Sequence, residues 1–350
     1  MKFSDLKKYR YELPDELIRK VGVEPRDSAR LFVYDTTTDT ITFDTFRNLT
    51  TYLPERSVVV LNDTKVLPAR LWLQKETGGK IEVFVLANEM EGGDTIPVLV
   101  DRKVSVGQKI LFPNGDFFVV DSQEENKFHV RLCSASGLTL LALLDQYGET
   151  PLPHYLEGAD TPEDMLRRRY QTVFAETGAS VAAPTASLHF TDAVFDSLQQ
   201  KHIETARLTL NVGLGTFAPL KEENFEQRRL HAEYVTVSEA SATRINQAKR
   251  ERSTVIAVGT TVARTLESFG KSGSMAAGSG KTDIFIFPPY DFQVVDGLIT
   301  NFHLPETSLI LLVDAFLQHK QAKRGIMELY ALAIENRFAF YSFGDSMLIL

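Results

Sequence analysis

Apolar residues along this chain follow two rhythms, and the change between them divides it. Arg30 to Tyr34 and Thr40 to Phe43 read as two strands joined by a turn through Asp35 to Asp39, and Asp44 to Tyr52 predicts a short helix. Ser57 to Leu61 is a continuous β-branched run, the pattern of a strand buried on both faces. It stops at Asn62-Asp63-Thr64-Lys65, four polar residues that form either the edge of a site or an Asx-type turn. From about Leu67 to Cys133 strand-like pieces recur with no helix-period segment between them: Lys80 to Ala87, Thr95 to Val100, Gln108 to Phe112, Asp116 to Asp121 and Lys127 to Cys133. Gly78-Gly79, Gly92-Gly93 and Asn114-Gly115 mark the turns. Such a stretch predicts a small all-β module, closed as a barrel because closure removes exposed edges.

Beyond it the period changes. Leu138 to Tyr147 predicts a helix ended by Gly148, and Pro151-Leu152-Pro153-His154-Tyr155 an extended return. Strands at Ile203 to Val212, Thr254 to Val258 and Asp283 to Phe287 then alternate with helices at Ser238 to Glu251, Thr260 to Phe269, Pro305 to His319 and Gly325 to Asn336. That alternation predicts a mixed or parallel sheet covered by helices. Ser272 to Gly280 is small and Gly-rich and is expected to be a mobile loop. The expected fold class is α/β, in a mixed α+β arrangement. Residues 1–66 and 150–350 would form the larger helix-covered domain, and residues 67–149 an inserted antiparallel β-barrel.

Composition narrows this picture. With 43% apolar and 24% charged residues the chain has the balance of a soluble globular protein, and 350 residues leave room for two domains. Cys133 is its one cysteine, which excludes an intramolecular disulfide and a cysteine-built zinc site. Met1 to Arg10 lacks the apolar core of a signal peptide, and runs such as Leu309 to Val313 are too short to span a bilayer. A cytoplasmic monomer with no membrane partner is expected. The net charge of −8 argues against a broad nucleic-acid-coating surface and leaves room for a local basic patch. Arg167-Arg168-Arg169, Arg228-Arg229 and Lys249-Arg250-Glu251-Arg252 are the candidates, unless they are simply solvated helix faces.

Candidate chemistry gathers where strands meet helices. In Ile299-Thr300-Asn301-Phe302-His303-Leu304-Pro305 a strand turns through Asn301 and His303, and Pro305 suits the first position of the next helix. Ser180 to Thr191 places Thr185, Ser187 and His189 before a helix running from Thr191 to about Gln200. Its N-terminus would suit a carboxylate or phosphate; the plainer reading makes Thr191 an N-cap and His189 a packing residue. Val212-Gly213-Leu214-Gly215-Thr216-Phe217 follows a strand, and its two glycines either admit a ligand close to the backbone or form a bulge. In Val255 to Glu267 a buried strand ends at Gly259, Thr260 and Thr261 open a helix, and Arg264 follows. This suits an anionic or ribose-bearing ligand without being a Walker P-loop. Arg264 would pair with a ligand carboxylate or with a structural one such as Glu267. His231 and Glu233 share a face if extended, as an acid/base pair or as a surface ion pair. His231, His303 and Asp345 lack any metal-ligand spacing, so no metal is expected.

Longer motifs tie these stretches together. They are Ser28-Ala29-Arg30-Leu31, Leu61-Asn62-Asp63-Thr64-Lys65-Val66 with Pro68-Ala69-Arg70, Arg169-Tyr170-Gln171-Thr172-Val173, Ala183-Pro184-Thr185-Ala186 with Leu188-His189-Phe190-Thr191, and Val212 to Phe217. To these add His231-Ala232-Glu233, Ala257-Val258-Gly259-Thr260-Thr261 with Arg264-Thr265-Leu266-Glu267, Thr300 to Pro305, and Phe343-Gly344-Asp345. In content and order the chain resembles, nearly end to end, the S-adenosylmethionine:tRNA ribosyltransferase-isomerase family of queuosine biosynthesis.

The resemblance implies a transferase and isomerase that uses S-adenosylmethionine as co-substrate, with no prosthetic group. Ribosyl carbons would pass to the aminomethyl nitrogen of 7-aminomethyl-7-deazaguanine in tRNA, giving epoxyqueuosine with release of adenine and methionine. Such chemistry needs a base beside the sulfonium, an acid for departing adenine and a dry pocket. It also needs an exposed base, which an anticodon loop offers. The resemblance implies Thr185, His189, Gly213, Gly215, Gly259, Thr260, Thr261, Arg264 and Asn301 around S-adenosylmethionine. It implies His231, Glu233 and His303 in proton transfer, with Asp63 and Asp345 behind them. The chain departs from the family's usual pattern at Lys65, Ser187, Asn211, Arg228 and Ala218. The alternative is therefore a silent or altered-substrate paralogue that binds tRNA or a nucleotide.

Overall fold

The two rhythms settle into two sheets. The computed structural model describes residues 1–90, 93–153, 156, 161–213, 215, 219–270 and 273–350. It begins with β1 (Arg30–Asp35), β2 (Thr40–Thr45), β3 (Ser57–Asn62) and the short β4 (Thr64–Val66). Next come β5 (Arg70–Lys75), β6 (Lys80–Val85), β7 (Thr95–Val100), β8 (Lys109–Leu111), β9 (Phe117–Glu124), β10 (Lys127–Cys133), α1 (Leu140–Tyr147) and β11 (Gly148–Glu149). There follow α2 (Glu163–Arg169), β12 (Thr177–Ser180), α3 (Asp192–Gln200), β13 (Glu204–Leu210), α4 (Glu222–Gln227), β14 (Arg229–Val237) and α5 (Glu239–Arg250). The chain closes with β15 (Thr254–Val258), α6 (Thr260–Phe269), β16 (Gly278–Ile284), β17 (Gly297–Asn301), α7 (Ser308–His319), α8 (Ile326–Glu335) and β18 (Ser346–Ile349).

The larger sheet has the order β16-β14-β13-β3-β15-β17-β18-β1-β2. Its middle strands β13, β3, β15 and β17 run parallel. β3 shows why this run sits in the middle: all six of its residues are buried. Val58 and Val60 enter one apolar core and Val59 and Leu61 the other, as the two-residue period of a strand requires. β15 repeats the pattern, with Val255 and Ala257 on one face and Ile256 and Val258 on the other.

Strands β5 to β11 form the second sheet, in the order β11-β5-β6-β7-β10-β9-β8, and a further β5–β8 pairing closes it into an antiparallel barrel. Leu71, Ile81, Val83, Phe118 and Val130 fill its interior. A polar strut joins the barrel to the rest. Arg167 donates to Glu163 Oε1 at 3.0 Å and to the Asp145 carbonyl at 2.9 Å, while the Thr150 amide and hydroxyl reach the same Glu163 oxygen at 2.7 and 2.8 Å. Among the described residues no helix is long and apolar enough to cross a membrane.

Several local expectations need correction. Pro305 is not the first helical residue. Glu306 takes φ +57° and ion-pairs with Arg10 at 2.9 Å, so α7 starts only at Ser308 after Thr307. The segment expected as a helix from Asp44 is a 3-10 turn, Phe46–Thr51. The strand expected at Asp283 to Phe287 lies earlier: Gly278–Ile284 pairs along β14, so part of the supposed loop Ser272 to Gly280 is sheet edge. Strand β5 had no separate prediction. Residues 92, 154–155, 214, 216–218 and 272, which earlier expectations touch, lie outside the described residues.

Candidate active site

Parallel strands β15 and β17 end side by side, and the Gly259 amide donates to the Ile299 carbonyl at 2.7 Å. The turns that follow both strands therefore face one opening, at the carboxyl edge where α/β sheets place ligands. Gly259 sits at φ +89°, a conformation that glycine adopts cheaply, and from there the chain enters α6 at Thr260. The first N–H groups of α6 have no intrahelical partner and point toward the opening. Thr185, Gly259, Thr260, Thr261, Asn301 and His303 all line this cleft, which encloses about 810 Å³ with its mouth. No charged side chain lines it among the described residues.

Two side chains from the end of β17 give the cleft its polarity. Asn301 donates its amide hydrogens to the carbonyls of Tyr341 (2.9 Å) and Ser342 (3.4 Å), which fixes the amide orientation. Its Oδ1 is then a buried acceptor without a partner among the described residues. His303 Nε2 lies 2.9 Å from the Thr300 hydroxyl, its backbone N–H donates to the Tyr330 hydroxyl at 2.9 Å, and the Tyr11 hydroxyl donates to its carbonyl. Burial pushes the His303 imidazole down to about 3, so the ring is neutral at physiological pH.

The other candidates fall elsewhere. His189 lines a neighbouring cavity, and burial first of all pushes it down to about 4. Glu233 is buried and accepts from Arg264 at 2.6 Å and from the Gly213 amide at 3.3 Å; Arg264 pairs with it and not with Glu267. Glu267 instead accepts the backbone amides of Gln293, Val294 and Val295 at 2.9–3.0 Å. His231 is exposed while Glu233 is buried, because the β14–β16 register shifts between Arg229 and Glu233 and breaks the alternation. Gly213 makes room for Asn88 of the barrel, 2.6 Å from where a Cβ would stand, and Gly215 makes room for His231. Asp63 accepts from the Thr209 hydroxyl at 2.6 Å outside the cleft, and burial raises its pKa. Asp345 is fully buried and accepts from Arg19 (3.0 Å) and from the amides of Arg30 (3.0 Å) and Ala339 (2.8 Å), a structural clamp. Tyr341, Ser342 and Thr307 line the cleft without having been anticipated. They come from irregular chain, which carries no periodic signal.

The two neutral histidines make stability pH-dependent. Each has a folded pKa far below its unfolded value of about 6.5, so below that pH the unfolded chain takes up protons that the folded chain refuses. Stability should therefore be fully present above about pH 6.5 and decline on acidification. His303→Gln should flatten the dependence between pH 6 and 4.5 by about one proton, or about 1.4 kcal/mol per pH unit. Urea unfolding of both forms across that range measures it, and identical slopes would mean that His303 titrates alike folded and unfolded.

A sequence profile described as queuosine biosynthesis protein matches residues 6–349. The chain belongs to this family. Within the queuosine biosynthesis family it is 42% identical over 344 residues to the S-adenosylmethionine:tRNA ribosyltransferase-isomerase of Caldanaerobacter subterraneus subsp. tengcongensis, covering 97% of this chain and 98% of that protein. It is 43% identical over 351 residues to the protein of the same name from Clostridioides difficile, covering 97% and 98%. A crystal structure of the S-adenosylmethionine tRNA ribosyltransferase from Thermotoga maritima is 30% identical, with a TM-score of 0.55 over 98% of this chain and 100% of that one. Of the positions expected to depart from the family's pattern, Lys65, Ser187, Asn211 and Arg228 lie outside the cleft lining, and Ala218 lies outside the described residues. Asn211 accepts from the Ala179 amide at 3.1 Å, and Arg228 stacks 5.0 Å over Phe287, so both do local structural work.

Proposed function

We propose that this chain performs the reaction for which its curated relatives are named, and that the cleft holds S-adenosylmethionine. The observation that carries this reading is the convergence of three separate stretches, around Thr185, Gly259 and Asn301, on one cleft without charged walls. The N-terminus of α6 takes the amino-acid carboxylate, with Thr260 and Thr261 beside it. Asn301 Oδ1 accepts from a hydroxyl or amino group of the nucleoside. His303 is unprotonated and so available to accept the proton beside the sulfonium. The imidazolium formed in so dry a site is a strong acid, which suits it to protonate departing adenine. The acceptor is the aminomethyl nitrogen of a 7-deazaguanine base presented by the anticodon loop of tRNA, and epoxyqueuosine, adenine and methionine are the products.

Incubation with S-adenosylmethionine and tRNA carrying the deazaguanine precursor should release adenine and raise the tRNA mass. If neither happens while the tRNA still binds, the paralogue reading takes its place.

A further inference from the structure

Beyond the turn Thr185–His189 lies a second cavity, about 360 Å³ with its mouth, and Ser342 borders both spaces. Its chemistry differs from that of the cleft. Leu188, Val23 and the buried Phe343 ring make apolar walls. Arg26 and Arg169 bring two guanidinium groups against one carboxylate, Glu24. Arg26 is committed, donating to the carbonyls of Arg168 and Gln171 at the end of α2. Arg169 is half-buried and has no carboxylate within ion-pair distance among the described residues. Burial holds the Arg26 guanidinium below its ordinary value, with Glu24 opposing this and the Arg169 charge adding to it, so two guanidinium groups share one carboxylate at this cavity.

His189 supplies the remaining polarity. Its ring packs against Phe46 with centroids 5.1 Å apart. Its Nε2 is buried and has no partner among the described residues. A buried ring nitrogen left without a partner calls for a polar group.

We infer that this cavity is a subsite for one unpaired nucleotide of the RNA substrate, with its phosphate on Arg169, its base against Phe343 and a base N–H or ribose hydroxyl on His189. The RNA class rests on the function proposed above; the subsite rests on the cavity. A bare phosphate would meet Arg169 but not the apolar wall, and a bare base would leave the charge. A nucleotide answers all three, and stacking with edge recognition is how proteins hold splayed RNA bases. A duplex cannot enter so small a space. Seated beside the cleft, such a nucleotide would brace the loop next to the base that reacts.

The test is binding, which needs no turnover. With a fluorescent anticodon stem-loop, Arg169→Ala should weaken affinity about 10-fold and reduce the slope of log Kd against log salt by about 0.7, the share of one single-strand phosphate contact. Arg169→Lys should restore that slope. His189→Leu should weaken affinity several-fold and leave the slope unchanged, as loss of a neutral contact does. Calorimetry should give an unaltered S-adenosylmethionine Kd for Arg169→Ala. Unchanged stem-loop affinity overturns the subsite. So does an equal loss for a fully paired RNA, which marks general surface charge, or a parallel loss of S-adenosylmethionine affinity, which marks part of the first cleft. Absence of adenine release would sink the proposed reaction and leave this comparison readable.

Discussion

Arg264→Ala is expected to destabilise the fold by about 3–5 kcal/mol, read as a fall in the urea midpoint, and to stop turnover. The Arg264 and Glu233 side chains are 6% and 5% exposed, so removing the guanidinium strands a carboxylate in the interior. The same carboxylate anchors the Gly213 amide, so the loss also reaches the backbone beside the cleft-lining Val212. Replacing both partners by apolar residues, as in the double variant R264M/E233L, removes the stranded charge and should recover much of the stability. It should not restore turnover, because Gly213 stays unanchored. If the double variant is as unstable as Arg264→Ala, the damage comes from lost packing and not from the unpaired charge.

The second large effect concerns His303. His303→Gln should slow adenine release by about 10²–10⁴-fold, the usual weight of a proton-transferring group. Its backbone bonds to Tyr330 and Tyr11 survive the change, so the fold and S-adenosylmethionine affinity should change little. Single-turnover adenine release against calorimetric affinity separates the two. Because burial keeps the ring neutral down to about pH 3, the wild-type rate should show no His303 limb near pH 6.5. Equal rates for both proteins would make His303 a packing residue.

How much of this could be read from the residues depended on how regular the surrounding chain is. Ser57 to Leu61 and Thr254 to Val258 announced themselves as doubly buried strands, and the turn after each strand then placed Asn62 and Gly259. Thr185, Gly259, Thr260, Thr261, Asn301 and His303 were legible for the same reason: a buried strand or apolar run gives way abruptly to polar residues. Tyr341 and Ser342 were not, since contacts across about 40 residues hold them at the cleft, among them the bonds from the Asn301 amide to their carbonyls. Glu233 was misjudged although a signal existed. It alternates with Val235 and Val237, the inward positions of β14, and a carboxylate in that series has to find a buried cation. Gly278 to Gly280 defeated propensity altogether, because hydrogen bonds to β14 hold a glycine-rich segment extended.

The route of the chain through the two sheets also orders its birth on the ribosome. All the barrel strands come from one contiguous stretch, β5 to β11, so that unit can close as soon as those residues emerge. The large sheet has to wait. β1 pairs with β18, and the Arg30 amide bonds Asp345 across 315 residues, so an early strand stays unsatisfied on one side until synthesis is nearly finished. Throughout that interval the apolar β1 and β3 are exposed edges, and nascent chains stalled after the barrel should be the species that chaperones capture or that aggregate.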